Sequence, residues 1–458
     1  MSISDHCLLM LTLKRQQTQK RGRKCFFFEA MWTRDERCKE IVEVAWEPGW
    51  AKAESGIIER IKRCQDHLLK WNWEEFGIVN KVLKQKKERL QQLELWDSLH
   101  GKTDEIQKVR KEINEIQVKE EIMWNQRSRA LWLKWGDRNK KIFHATASQR
   151  HRKNWIAGLQ NSEGVWVEDK EGIESTILDY FQDIYKSNQP TNFEASLKSI
   201  TNRVSPDMNE ELLTDFKAEE VWFALKQMHP TKAPGPDGMS PIFFKHYWDI
   251  VGPEVVKCVL TALNLGIMPS GLNETHICLI PKVKSPQKIT EYRPISLCNV
   301  VYKLISKVLA NRLKRVLAAV IDDSQSAFVP GRLITDNVLV AFKTMHYIDQ
   351  RKKGKEALMA IKLDMSKAYD RVEWVYLEAM MRKIGFHERW ISLMMMCVTS
   401  VSYSVLINGE PKGRIVPSRG LGQGDPISPY LFLLCAEGLS AMLNKEEGEG
   451  QPRGIAVC

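Results

Sequence analysis

The sequence predicts an α+β fold with a mostly α-helical segment ahead of it. Three observations carry that expectation. Apolar residues recur at helical spacing over a long N-terminal stretch, short extended segments follow, and apolar helices lie between those segments. At 458 residues the chain exceeds one ordinary domain, and 43% hydrophobic with 27% charged residues supplies core material without the profile of a disordered chain. Lys plus Arg number 68 against 57 Asp plus Glu, a formal charge of +11 that favours a polyanionic partner, nucleic acid ahead of a membrane surface. The ten cysteines are scattered singly, without a C-x-x-C pair or a Cys/His cluster at zinc spacing, and read as reduced thiols. Neither Cys7–Leu13 nor Ser392–Ile407 has the length of a membrane span, so an intracellular protein of nucleus or cytoplasm, with no membrane partner, is expected.

In chain order, Ile57 to Trp135 reads as long amphipathic helix. Val79, Leu83, Leu90 and Leu93 form one stripe, and Ile106, Val109, Ile113 and Ile116 form a second at the 3-4-3 spacing of a coiled-coil seam. Between them His100-Gly101-Lys102-Thr103-Asp104 breaks the pattern and offers Thr103 as an N-cap, which predicts an antiparallel helical hairpin. From Trp124 to His144 cations interleave with aromatics, Arg127, Arg129 and Arg138 among them. Cations suit phosphates and rings suit stacked bases. A helix whose tryptophans pack inward while its arginines face water fits the same pattern.

Trp155–Val167 reads as two short strands about Ser162-Glu163-Gly164, and Lys186–Asn202 as a polar boundary. Ala218–Met228 is a short helix, Pro230–Gly238 a turn-rich loop and Ser240–Leu265 a longer helix. Leu279–Val283 and Glu291–Leu297 are adjoining extended segments, on which Lys282 and Arg293 suit a triphosphate, Arg through its fork and Lys as a point charge. After the helix Tyr302–Ala319, Ala357–Asp364 reads as a largely buried strand ending in a carboxylate. That placement suits a hard cation, and equally a turn or helix N-cap. Arg419–Pro429 is a Gly-rich loop that leads into the apolar helix Tyr430–Leu443. It has neither the ending of a P-loop nor the glycine spacing of a dinucleotide fingerprint.

Read together, Ala233–Gly238, Leu279–Lys282, Tyr292–Leu297, Gln325–Arg332, Lys362–Val372 and Gly420–Phe432 resemble, in order, the successive motifs of non-LTR, LINE-type retrotransposon reverse transcriptases, the plant type fitting best. The likeness runs from about Ala218 to Cys458, and the basic-aromatic stretch resembles the linker that this family places before its polymerase. The resemblance implies a right-hand polymerase, with fingers and partial palm over 203–458, a helical linker over 48–190, and a remnant junction or disordered tail over 1–47. It implies RNA-directed DNA synthesis with template RNA, a DNA primer, deoxynucleotides and two Mg²⁺ ions.

Residue by residue, it makes Asp364 the catalytic carboxylate on both metals, with the Met365 carbonyl beside it. Tyr369 becomes the gate against a ribose 2′-hydroxyl, Gln423 and Gly424 the loop facing the incoming nucleotide, Lys282 and Arg293 the grip on its triphosphate, and Gln325 and Arg332 part of the template channel. The family's aromatic-Ala-Asp-Asp hairpin does not occur before Cys458, so an incomplete metal site and a chain inactive alone are expected. The paired Asp322-Asp323 is expected to be no substitute, because its flanks match another motif. The rival expectation is a non-catalytic nucleic-acid-binding fragment. Oligomeric state is not readable from the sequence.

The charge and the basic-aromatic stretch predict salt-sensitive binding to RNA and single-stranded DNA. Substituting Arg127, Arg129 and Arg138 should weaken it and flatten its salt slope by up to roughly one unit for each phosphate that is no longer neutralised. Filter binding between low and high salt is the check. An affinity indifferent to salt would exclude the electrostatic reading.

Overall fold

The structure, a computed structural model, describes residues 25–47, 56–76, 79–100, 103–128, 140–351 and 358–450. Among these, residues 25–46 correct the expectation of a tail. A short 3-10 turn, Ala30–Arg34, leads into helix α1, Glu36–Trp46, capped by the Asp35 carboxylate. Phe28 is 1% exposed and meets Phe243 edge-on at 5.2 Å. Burial of Phe28, Trp32, Val42 and Trp46 in the main core is why this segment is ordered. Residues 1–24 lie outside the described residues.

Helix α2 (Ile57–Trp71) packs on α1. The antiparallel hairpin forms as the seams predict, from α3 (Val79–His100) and α4 (Thr103–Ser128). Leu83 and Leu93 bury against Ile106, Val109 and Ile113. The rungs Lys86–Glu112, Arg89–Glu105 and Arg110–Glu94 close at 2.7, 2.9 and 2.8 Å, matching residues from opposite ends of the two helices. These pairs are half-exposed and set register more than stability. Helix α5 (Lys140–Asn154) packs back on α4. Strands β1 (Leu159–Gln160) and β2 (Trp166–Val167) form the small hairpin, with Gly164 at φ +79° and the Asn161 side chain accepting the Glu163 and Val165 N–H groups.

Helix α6 (Lys170–Ile184) is followed by α7 (Glu194–Lys198), α8 (Pro206–Leu213) and α9 (Ala218–Lys226). The expected helix over 240–265 divides at Tyr247 (φ −105°, ψ 27°) into α10 (Pro241–His246) and α11 (Trp248–Leu265). Strands β3 (Glu274–Pro281) and β4 (Tyr292–Cys298) precede α12 (Val300–Val320) and α13 (Ile334–Gln350). The remainder is α14 (Trp374–Ile384), α15 (Glu388–Thr399), β5 (Ser402–Ile407), β6 (Glu410–Ile415) and α16 (Ser428–Gly448).

The four longer strands form one sheet in the order β4-β3-β5-β6, with β3 parallel to β5 and the other pairs antiparallel. Ile277, Leu279, Tyr403, Val405 and Ile415 bury one face of it against Ile173, Ile177 and Phe181 of α6. Helix α6, ahead of the expected boundary at Lys186–Asn202, completes the packing of this sheet. Helix α12 is buried around most of its circumference, as an apolar helix at the centre of a core must be. Its one buried arginine, Arg312, is met by Glu220 at 2.8 Å and stacks on Phe216 at 3.8 Å. Among the described residues no helix is long and apolar enough to cross a membrane.

Candidate active site

Lys282 and Arg293 come together because β3 and β4 are neighbours. Ile280 is opposite Arg293 and Pro281 opposite Tyr292, while the Lys282 N–H extends the ladder to the Glu291 carbonyl at 2.9 Å. Alternation along β4 buries Tyr292, Pro294, Ser296 and Cys298 and leaves Arg293 exposed on the opposite side. The exposed Lys282 donates to the Thr290 carbonyl at 3.0 Å, and its charge reaches Lys367 and Asp370.

The Gly-rich loop is tied on both sides. The Gly420 and Leu421 N–H groups donate to the carbonyls of Val372 and Tyr369, both at 2.8 Å. The Gln423 carbonyl accepts the Ser296 N–H of β4 at 2.8 Å. Gly420 (φ +97°) and Gly424 (φ +119°) hold backbone conformations that a side chain disfavours, and a Cβ at Gly420 would press on the Asp370 carbonyl and the Tyr185 ring. From below, the Asp425 carboxylate accepts the Tyr302 hydroxyl at 2.6 Å and the Ser306 hydroxyl, both from α12. Burial raises the Asp425 pKa, and these hydroxyls oppose the rise. Gln423, Gly424, Arg293, Lys282 and Tyr369 are thus brought to one region through β4 and the loop.

Tyr369 lies in a 3-10 turn, Tyr369–Arg371, half-buried and stacked on Phe432 of α16 at 4.9 Å. Asp370 beside it is buried, its pKa raised by that burial, with the Tyr185 hydroxyl 3.4 Å away. Asp364 departs from expectation. Residues 358–365 form no strand, and Asp364 and Met365 are exposed together with Met359, Ile361 and Leu363. A strand exists through its ladder, and among the described residues this segment pairs with no strand of the sheet. Its apolar residues at every second position would give a strand one apolar face. Next to it a cleft of about 520 Å³ opens between Met365–Val372 and the Phe432, Leu439 and Met442 side of α16. Ala357 lies outside the described residues.

Arg332, expected in the template channel, lies at the end of α12. Its guanidinium donates to the carbonyls of Ala318, Ile321, Asp322 and Gln325 and pairs with Asp323 at 2.8 Å, which caps the C-terminal end of α12. Gln325 accepts the Ala327 N–H. Asp322 accepts from Ser324 and Asn444. Arg127 pairs with Glu29 at 2.7 Å and covers Trp124, itself packed against the core. Arg129 and Arg138 lie outside the described residues.

The loop at Ala233–Gly238 closes the far side of α12. The Asp237 N–H donates to Asn299 Oδ1 at 3.1 Å, and the Asp237 carboxylate accepts the Met239 N–H at 3.0 Å. Lys303 donates to the Ala233 carbonyl at 3.4 Å. Sequence reasoning missed the roles of Tyr302, Ser306 and Asp425. The signal that could have found them was two hydroxyls four residues apart on a helix, facing an Asp in a Gly-rich loop. Among the described residues no group of three or more His, Cys, Asp or Glu side chains is placed to hold a metal ion.

Residues 280–455 match the family described as reverse transcriptase (RNA-dependent DNA polymerase). The chain is 32% identical over 311 residues to the uncharacterized 149 kDa protein of transposon TX1 from Xenopus laevis, a match covering 68% of this chain and 24% of that protein. It is 26% identical over 260 residues to the Pol polyprotein of the type-2 retrotransposable element R2DM from Drosophila melanogaster, covering 55% and 24%. Against the Pol polyprotein of a type-1 retrotransposable element R2 from Popillia japonica it is 25% identical over 234 residues, covering 51% and 31%. The matches thus span 24–31% of these relatives' own length.

Burial pushes the Asp237 carboxyl up from 3.8 to about 7, against the Met239 N–H and the Lys303 charge. A carboxyl raised on folding favours the folded state most below its unfolded value, and that contribution is lost as pH rises through the folded value. Between pH 3.8 and about 7 the Asp237→Asn variant should therefore lose less stability with rising pH than the wild type. Chemical denaturation at several pH values checks this. Parallel curves would show that Asp237 ionises as freely in the folded chain as in the unfolded one.

Proposed function

We infer, for a chain that carries a reverse transcriptase domain of the non-LTR retrotransposon family, that its work is RNA-directed DNA synthesis and that the region about the Gly-rich loop receives the incoming deoxynucleotide. One observation supports this most: the Ser296–Gln423 and Leu421–Tyr369 hydrogen bonds join β4, the loop and the Tyr369 turn, segments up to about 130 residues apart in sequence.

In this reading Arg293 and Lys282 grip the triphosphate, the Arg by paired N–H donors and the Lys as a point charge. Gln423 and Gly424 present backbone to the nucleotide, and the Cβ that Gly424 lacks would press on the Ser296 carbonyl at 3.0 Å, so glycine lets the loop sit close on β4. Tyr369, held in place by its stack on Phe432, is the wall against a 2′-hydroxyl. Template RNA and a DNA primer are the proposed partners, fitting the +11 charge.

Two Mg²⁺ ions are the family's proposed cofactors, with the Asp364 carboxylate and the Met365 carbonyl as ligands. The described residues do not by themselves make such a centre, because no group of three ligating side chains gathers there. A two-ion site needs carboxylates on both sides of the pair. The reading in which this chain binds nucleic acid and nucleotide without joining them draws on the same observation.

Fluorescence titration with deoxynucleotides should show binding that Arg293→Ala weakens by about 10–100-fold, the equivalent of one charged hydrogen-bonded contact. Tyr369→Val should narrow the preference for deoxy- over ribonucleotides. Absence of nucleotide binding would overturn the functional reading. In Mg²⁺ or Mn²⁺ on a primed RNA template, the chain and its Asp364→Ala variant should give equal background. Incorporation that depends on Asp364 would show that further carboxylates of this chain reach it.

A further inference from the structure

Under the Gly-rich loop lies a small cavity of about 20 Å³. Its floor is a single row across three strands, where Thr275 of β3 is opposite Cys298 of β4 and Tyr403 of β5. Its roof is Gly420–Gly422, and Tyr302, Cys397 and Asp425 are part of its wall. Two buried oxygens there, Thr275 Oγ1 and Asn273 Oδ1, have no hydrogen-bond partner among the described residues, and their residues are 1% and 3% exposed. The Cys298 thiol beside Thr275 is a weak partner at most.

Asn273 cannot relieve its oxygen by turning its amide over. Its nitrogen donates to the Cys397 carbonyl and to Ser400 Oγ, both at 2.9 Å, and a flip would set oxygen against the carbonyl. The loop cannot collapse into the space either. It is anchored above by the Val372 and Tyr369 carbonyls and at its far end by the Asp425 clamp. At Gly422, an added Cβ would meet Ser296 Oγ at 3.3 Å and the Tyr403 hydroxyl at 3.5 Å, so two further hydroxyls face the underside of the loop.

A buried water needs roughly 10–15 Å³ and two to four polar partners. We propose that this cavity is the binding site of one ordered water, which donates to Asn273 Oδ1 and Thr275 Oγ1 and ties β3 to the floor of the Gly-rich loop. The hydroxyls of Ser296 and Tyr403 are hydrogen-bonded to each other and have one proton left to offer it. A monovalent cation is the competing occupant. Against it, the Asp425 oxygens are already engaged by Tyr302, Ser306 and the Ile427 N–H, and the remaining wall is uncharged. The inference stands on packing and polarity, and is independent of the polymerase reading.

Thr275→Val keeps the side chain's shape and removes its hydroxyl. With a bound water, the variant loses one long-lived internal water by oxygen-17 magnetic relaxation dispersion, and its melting temperature falls by about 1–3 °C. Thr275→Ser retains that water. A wild-type crystal structure at high resolution supplies a readout that needs no variant to fold, with density within hydrogen-bond distance of both orphan oxygens. A Thr275→Val melting temperature equal to or above wild type, with an unchanged water count, would mean a dry cavity and overturn the proposal. Melting that depends on K⁺ against Na⁺ in the wild type and not in the variant would assign the cavity to a cation instead.

Discussion

A carboxylate withdrawn from water must find donors or lose its charge, and the Asp425 carboxylate finds them on α12. Tyr302 and Ser306 are four residues apart, so their hydroxyls leave the helix on one side and meet both Asp425 oxygens. This contact joins the least regular part of the site to the most buried helix of the chain. The loop's other ties, to the Tyr369 turn and to Ser296, fall into place once that end is held. The same turn of α12 carries Lys303, which reaches the Ala233 carbonyl, so one helical turn supports the Pro-Gly loop and the Gly-rich loop together.

That arrangement concentrates ionisable groups where water is scarce. Burial lowers the Lys303 pKa and raises those of Asp237, Asp425 and Cys298, and each feels the field of at least one other. Such clusters stabilise little in net free energy, because desolvation offsets most of the attraction. Their effect is specificity: a loop displaced by one residue would leave a buried charge without its partner. The hydroxyls and N–H groups around Asp425 and Asp237 are thus a constraint on conformation more than a reserve of stability.

Much of this was legible in the sequence, for physical reasons that differ by element. The α3–α4 hairpin was readable because its seam repeats with helical period and Thr103 opens the second helix. The β3–β4 pair was readable from two apolar runs bounded by turn residues. Asp364 was misplaced because strand pattern is local and strand formation is not: residues 358–365 have alternating apolar side chains, but the ladder lies elsewhere. The surroundings of Arg332 were not readable because a cation in a motif shows its charge and not its partners, which here are the open carbonyls at the end of α12. The order of residues 25–46 was hidden by a weak local pattern, and it depends on aromatic contacts with Phe243 and Tyr247, about 215 residues on.

Helix α12 holds the Gly-rich loop through Asp425, so that the loop's backbone is set before any ligand arrives. Hydrogen exchange measured by mass spectrometry on the wild type and on Asp425→Ala tests it directly. The peptides carrying the Gly420, Leu421 and Ser296 amides should exchange slowly in the wild type and markedly faster in the variant, while the centre of α12 keeps its protection. Equal protection of those peptides in both proteins would mean that the loop is held without Asp425, and would contradict the account.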